Sequence, residues 1–387
     1  MKITILSHNL SSNAAMRAHR LGLAARHFSE VTVIGPVKQR GPWGALPQEP
    51  WIKAVELKNL PKFYRTALEM IDAAEGDVLI AAKPFLASYG VGLLAAECRN
   101  IPLLLDLDDL DEALAPPLEP ELKRRVAELR DPASTIYLRI LARSIPAASG
   151  VTVASTALQR RFGGTLVPHG CPVEQFDPAT IHRAAARKRF GFSGPVILFP
   201  GTRRTHKGLR SLARAVAEIP GAGLAVLCRP DDYVEPKWNA YPLIKIPLIP
   251  YSSLPSLLAA ADIVAIPQLD SEGARHQMPM KVYDAMAMAK PIIASTVSDL
   301  PLTLDGCARL VQPGDSKGLA EAIRSLLEDP PEARALGERA RKRCLENYTM
   351  KRVAEALNQA ITKAVARCSP PILDDSLSAH TIESCGS

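Results

Sequence analysis

FPGTRRTHKGLRSLARAVAEI, residues 199–219, closes an apolar run, turns at Gly201, crosses a basic loop and enters a helical pattern. A strand, a glycine turn and a helix in that order make one step of a parallel α/β sheet. Arg203, Arg204 and Lys207 gather positive charge at the mouth of the helix, whose first amide N–H groups have no partner inside it. Such a place suits an anion, and a diphosphate in particular, because Arg grips phosphate oxygens as a fork and Lys adds a compact charge. A solvated basic turn is the plainer reading.

Outward from this stretch the same alternation recurs. Before it, apolar runs at 3–6, 31–34, 78–80, 103–105 and 151–153 are separated by helical segments; after VPHGCPVEQFDP (167–178) the pattern restarts at 196–199, 224–227, 263–266, 292–294 and 309–311. With 387 residues and a prior of about 150 per domain, the chain is expected to build a doubly wound α/β domain twice. The expected boundaries are 1–170, 171–345, a helix at 346–368 packing back on the first domain, and a flexible tail at 369–387.

Composition excludes several classes. Hydrophobic residues make up 47% and charged residues 22%, which describes a folded chain rather than a disordered one. No apolar run is long enough to span a bilayer, and MKITILSHN reads as a strand rather than a leader peptide. Cys98, Cys171, Cys228, Cys307, Cys344, Cys368 and Cys385 show neither metal-ligand nor redox spacing, so a reducing cytoplasm is expected, with at most a peripheral contact at the inner face of a membrane. The net charge of +7 suits phosphate-bearing ligands, yet aromatics total only 5% and no zinc spacing occurs, so nucleic acid is not an expected partner.

A second stretch, SEGARHQMPMKVYDAMAMAKPIIASTVSDL (271–300), places Pro279 at the first turn of a helix, with backbone N–H groups near Gln277 and Met278 open to a phosphate. Lys281 and Asp284 share a face of that helix. A carboxylate there, one turn below the phosphate, suits the two hydroxyls of a ribose; a local Lys–Asp pair is the alternative.

The two stretches together resemble the donor-binding half of GT-B-fold, retaining glycosyltransferases of the bacterial group 1 (family 4-like) type. There a basic loop ending in KG is followed by P-x-K-x-x-E-x-M-A-x-G-x-P-V-V-A-S; this chain offers GTRRTHKG and MPMKVYDAMAMAKPIIAS. DVLIAAKP, PLLLDLDD, GVTVAST and VPHGCPVEQFDP extend the resemblance over most of the chain. It implies two Rossmann-like domains facing across a cleft, and transfer of a sugar from a nucleoside diphosphate, UDP by preference, to an unidentified sugar, lipid-linked or small-molecule acceptor. No cofactor or metal is implied, the nucleotide sugar being a co-substrate.

Carried over by position, Arg204 and Lys207 would be catalytic, stabilising the departing diphosphate. Gly201, Thr202, Arg203, His276, Gln277, Met278, Pro279, Lys281 and Asp284 would bind the donor. Asp284 stands where the family has a ribose-binding glutamate, and His276 replaces the earlier glutamate of the same motif, with Glu272 nearby as a substitute. The glycine-rich loop usual after the first strand is replaced by SSNAAMRAH (11–19), where Arg17 and His19 could face the cleft or simply cap or cover the following helix; Asp106, Asp108 and Asp109 could line the acceptor or sugar side or cap the next helix. A sugar-nucleotide epimerase of the same fold is the alternative. A dinucleotide-dependent oxidoreductase lacks its glycine fingerprint here.

Overall fold

The computed structural model describes residues 1–118, 121–228 and 240–368. In the first half, β1 (Lys2–Ser7), β2 (Glu30–Val37), β3 (Ile52–Glu56), β4 (Val78–Ala82), β5 (Leu103–Leu107), β6 (Gly150–Val153) and β7 (Thr165–Leu166) form one sheet in the order β3-β2-β1-β4-β5-β6-β7. In the second half, β8 (Val196–Phe199), β9 (Gly223–Cys228), β10 (Leu243–Pro247), β11 (Ile263–Ile266), β12 (Ile292–Ser295) and β13 (Arg309–Val311) form another, in the order β10-β9-β8-β11-β12-β13. Adjacent strands are parallel throughout, and β4, β5, β8, β11 and β12 are buried along their whole length. Helices cover both faces of such a sheet, which is why these strands read as unbroken apolar runs.

Three strands were not among the expected runs. β3 (IKAVE) and β10 (LIKIP) each lie at a sheet edge and expose Lys53, Ala54 and Glu56 in one and Lys245 and Pro247 in the other, and β7, also at an edge, has only two residues. Their apolar content is too low to register as a run, because an edge strand buries less of its surface.

In each sheet the direction of growth reverses beside the first strand, between β1 and β4 in one and between β8 and β11 in the other. Loops leaving the carboxyl ends of those strand pairs part to leave a crevice, the usual ligand position in an open parallel sheet. The two crevices face one cleft.

The chain crosses between the halves at 167–178 and returns at its end. The helix Pro330–Asn347 gives way to the helix Met350–Cys368, which packs on the helix Ala15–Ala25 and on β6. Val353, Leu357, Ile361 and Ala364 of this last helix are buried, and each of the larger ones contributes about 1.5–3 kcal/mol through burial. The crossing and the return touch where Cys171 N–H donates to the Tyr348 carbonyl at 2.8 Å. Gly170 lies there at φ +62°, and a Cβ on it would stand 2.4 Å from a Val353 methyl, so only glycine fits. The tail expected at 369–387 lies outside the described residues. No described helix is long and apolar enough to cross a membrane.

Candidate active site

The cleft encloses about 1260 Å³ and is walled on one side by loops after β1, β4 and β5 and on the other by loops after β8, β10 and β11. On the second-half wall, Gly201, Thr202, Arg203, Arg204 and Lys207 all line the cleft. Their loop makes a short turn at Thr205–Lys207 and ends at Gly208, φ +69°, which starts the helix Leu209–Ala217. A Cβ on Gly208 would lie 1.7 Å from the Pro267 carbonyl oxygen, and Leu269 N–H donates to the His206 carbonyl at 2.8 Å. The basic loop is thus clipped to the chain leaving β11. The free N–H groups at the start of the helix, at Leu209, Arg210 and Ser211, stand on the same wall and favour an anion.

Burial lowers Lys207 to about 8, with Asp109 opposing the shift and Arg204 adding to it. Its ammonium donates to Gln277 Oε1, and Gln277 Nε2 donates in turn to Asp109 Oδ1 at 2.5 Å on the facing wall. Gln277, Met278, Pro279 and Lys281 line the cleft. The helix that Pro279 caps runs from Met280 to Ala287, and Gln277 N–H is already bonded to the Ala274 carbonyl at 3.2 Å. An anion at this helix end would therefore meet the N–H groups of Met280 and Lys281 rather than that of Gln277, one turn later than expected.

Gln268, just past β11, also faces the cleft. It is fully buried, and neither Oε1 nor Nε2 has a hydrogen-bond partner among the described residues. An orphaned buried polar group costs about 1–3 kcal/mol.

On the first-half wall three carboxylates converge on one ammonium: Lys83 Nζ lies 2.8 Å from Asp108, 2.7 Å from Asp109 and 2.9 Å from Asp111. Burial opposes the charge on Lys83, but the three carboxylates outweigh it and raise its pKa. Burial pushes Asp108 up to about 6 and Asp111 up to about 7, each against the pull of Lys83. It would raise Asp109 as well, yet Lys83 and the Gln277 amide hold that carboxyl below the ordinary range. Lys83 has φ +73°, a conformation uncommon for a side-chain-bearing residue, which turns it in toward the carboxylates. His8 stacks on Phe85 with ring centres 4.2 Å apart, and burial together with Lys83 lowers it to about 3.

Several expected residues stand elsewhere. Arg17 reaches the cleft but is spent on structure: it forks onto Asp106 at 2.8 and 2.7 Å and donates to the Val167 carbonyl at 2.8 Å. Asp106 is fully buried beneath it and accepts from Thr152 Oγ1 at 2.7 Å. His19 is buried against Trp51, ring centres 5.4 Å apart, and burial lowers it to about 3. Asp284 does not line the cleft. Its carboxylate is fully buried under Arg20 of the first half at 2.5 Å, with Tyr251 OH at 3.2 Å and Lys281 at 3.3 Å, so its oxygens are engaged by protein groups. Arg20 also donates to Tyr251 OH and to the Gly170 carbonyl, the latter at 2.6 Å. His276 and Glu272 face outward: His276 lines a separate groove with Arg160, Arg161 and Arg275, and Glu272 pairs with Arg161 at 3.1 Å.

Lys83, Asp111, Gln268, Arg20 and Tyr251 were missed by sequence reasoning. Lys83 is the penultimate residue of DVLIAAKP, a segment read as a strand and as part of the family resemblance but not as a site, and Asp111 lies two residues past the acidic run. Arg20 follows Arg17 by one helical turn. Gln268 and Tyr251 carry no sequence signal, because their roles come from packing.

Residues 194–329 match the family described as Glycosyl transferases group 1. A mannosyltransferase from Mycolicibacterium hassiacum, described as MMP alpha-(1->4)-mannosyltransferase, is 38% identical over 117 residues, which are 30% of this chain and 27% of that protein. A GDP-mannose-dependent phosphatidylinositol monomannoside mannosyltransferase from Corynebacterium glutamicum is 28% identical over 50% of this chain and 55% of its own. The chain thus spans about a quarter to about half the length of these two relatives. Among solved structures, sucrose-phosphate synthase from Thermosynechococcus elongatus superposes with a TM-score of 0.70 at 19% identity, covering 95% of this chain and 99% of that one. Anabaena HepE in complex with UDP-glucose gives 0.69 at 16% identity, covering 94% and 99%. These neighbours share the whole two-sheet arrangement.

Proposed function

With a group 1 glycosyl transferase domain at residues 194–329 and a GT-B fold around it, we propose that the protein transfers a sugar from a nucleoside diphosphate to an acceptor held by the first-half wall. The observation that carries this reading is the cluster of Arg203, Arg204 and Lys207 with the open start of the helix Leu209–Ala217, set beside the β8/β11 crevice and facing the cleft. A leaving diphosphate gathers charge as its glycosyl bond breaks. Pre-positioned cations and amide dipoles in a half-buried site stabilise that charge most when it is greatest. Arg204 and Lys207 are the residues for this role.

An apolar recess of Leu227, Cys228, Leu248, Ile249 and Pro250, at the ends of β9 and β10, offers a flat base a dry surface. UDP is the nucleotide the sequence resemblance favours, while the mannosyltransferase from Corynebacterium glutamicum is by description GDP-mannose-dependent. The Lys83 cluster would orient the acceptor hydroxyl by accepting hydrogen bonds from it. No side chain is placed as a nucleophile in this reading. The acceptor oxygen bonds the anomeric carbon on the face the diphosphate leaves, and its proton passes to the departing phosphate oxygen, so configuration is retained.

A thermal-shift panel of UDP- and GDP-sugars tests the reading. One nucleotide sugar should raise the melting temperature, corresponding to about 2.7 kcal/mol at a hundredfold excess over Kd, and Lys207→Ala should abolish the rise. No shift with any donor, or the same shift in Lys207→Ala, would refute it. Release of an epimerised nucleotide sugar without acceptor would identify the alternative enzyme.

A further inference from the structure

We propose that Gln268 reads the hydroxyls of the transferred sugar and so determines which sugar the donor carries; this rests on the nucleotide-sugar reading above. Gln268 is fully buried at the carboxyl end of β11, faces the cleft, and leaves both its carbonyl oxygen and its amide nitrogen without a partner among the described residues. Both atoms are orphaned, so the matching ligand group must accept one hydrogen bond and donate another. A fully ionised phosphate has no proton to give and would leave Oε1 unsatisfied. Sugar hydroxyls do both.

The order of strands along the sheet supplies the position. The apolar recess lies at the ends of β9 and β10, the basic loop follows β8, and Gln268 follows β11 on the other side of that loop. A base in the recess and a diphosphate on the basic loop leave the next group along, the sugar, at the β11 side. The close approach of Gly208 to Pro267 and the bond from Leu269 N–H to the His206 carbonyl fix the segment carrying Gln268 against the phosphate-binding loop. Gln277, which reaches from Lys207 to Asp109, marks the way from that side toward the facing wall. Gln268 is therefore a specificity residue and takes no part in bond breaking.

The test compares wild type with Gln268→Met, which keeps the volume but removes both polar atoms. Calorimetric titrations use UDP with UDP-glucose and UDP-galactose, and GDP with GDP-mannose. Gln268→Met should bind the nucleoside diphosphate as wild type does and lose on the order of tenfold affinity for the nucleotide sugar. Without ligand it should melt no lower than wild type, because an unsatisfied buried amide has been replaced by an apolar group. Equal losses for diphosphate and nucleotide sugar would overturn the proposal and place the carboxamide on base or phosphate. Unchanged affinity for both would overturn it too, as would a marked drop in melting temperature, which would show a carboxamide already satisfied by the fold. A wild type that binds none of these nucleotides would instead overturn the underlying functional reading.

Discussion

In the nucleotide-sugar reading proposed above, Lys207 holds the diphosphate, and its environment makes that recognition depend on pH. Burial lowers it to about 8, so in the empty cleft it is charged below that pH and neutral above. A bound diphosphate stabilises the charged form and raises the pKa, so binding above about pH 8 must take up a proton and weakens by up to tenfold per pH unit. Donor affinity, measured calorimetrically, should be level up to about pH 8 and fall beyond it, and Lys207→Arg should flatten the fall because Arg keeps its charge. A level profile to about pH 9.5 in wild type would contradict this assignment. Among single residues the sequence revealed the basic loop well, since charge and a glycine in consecutive positions need no tertiary context. It misjudged Asp284, whose position in the motif suggested a ribose while Arg20, 264 residues away in the chain, takes its carboxylate. No local pattern announces such a partner.

At the scale of elements, the helix Met280–Ala287 and the helix Ala15–Ala25 are joined by the Arg20–Asp284 pair, both side chains fully buried. Removing one member of a buried pair leaves the other uncompensated and costs about 3–5 kcal/mol. Arg20→Met and Asp284→Asn should each lower the melting temperature clearly, while nucleoside diphosphate affinity in Asp284→Asn stays within about twofold of wild type, since the carboxylate does not line the cleft. Unchanged melting with affinity reduced about tenfold would instead show that Asp284 meets the ligand. Of the thirteen strands among the described residues, ten were legible as apolar runs, most of them interior strands with buried faces, with the edge strand β13 read from Leu310 and Val311; β3, β7 and β10, short or at an edge, were not. The turn at Gly208 was legible as a KG pair, but the reason only glycine serves there, the Pro267 carbonyl against it, belongs to the packing of two separate loops.

Across the whole molecule the two crevices confront each other with opposite character. Arg203, Arg204 and Lys207 stand on one wall; Asp108, Asp109 and Asp111 gather about Lys83 on the other; and Gln277 reaches from Lys207 to Asp109 between them. The doubled α/β pattern in the sequence foretold two sheets, but which loops meet across the cleft depends on the returning helix Met350–Cys368 and on Arg20, features of the assembled chain. The most direct measurement is hydrogen–deuterium exchange with and without the nucleotide sugar that stabilises the protein. Exchange should slow in peptides spanning 199–210 and 266–282, on either side of the β8/β11 crevice. Protection confined to other segments, with these two unchanged, would contradict a diphosphate sugar bound there.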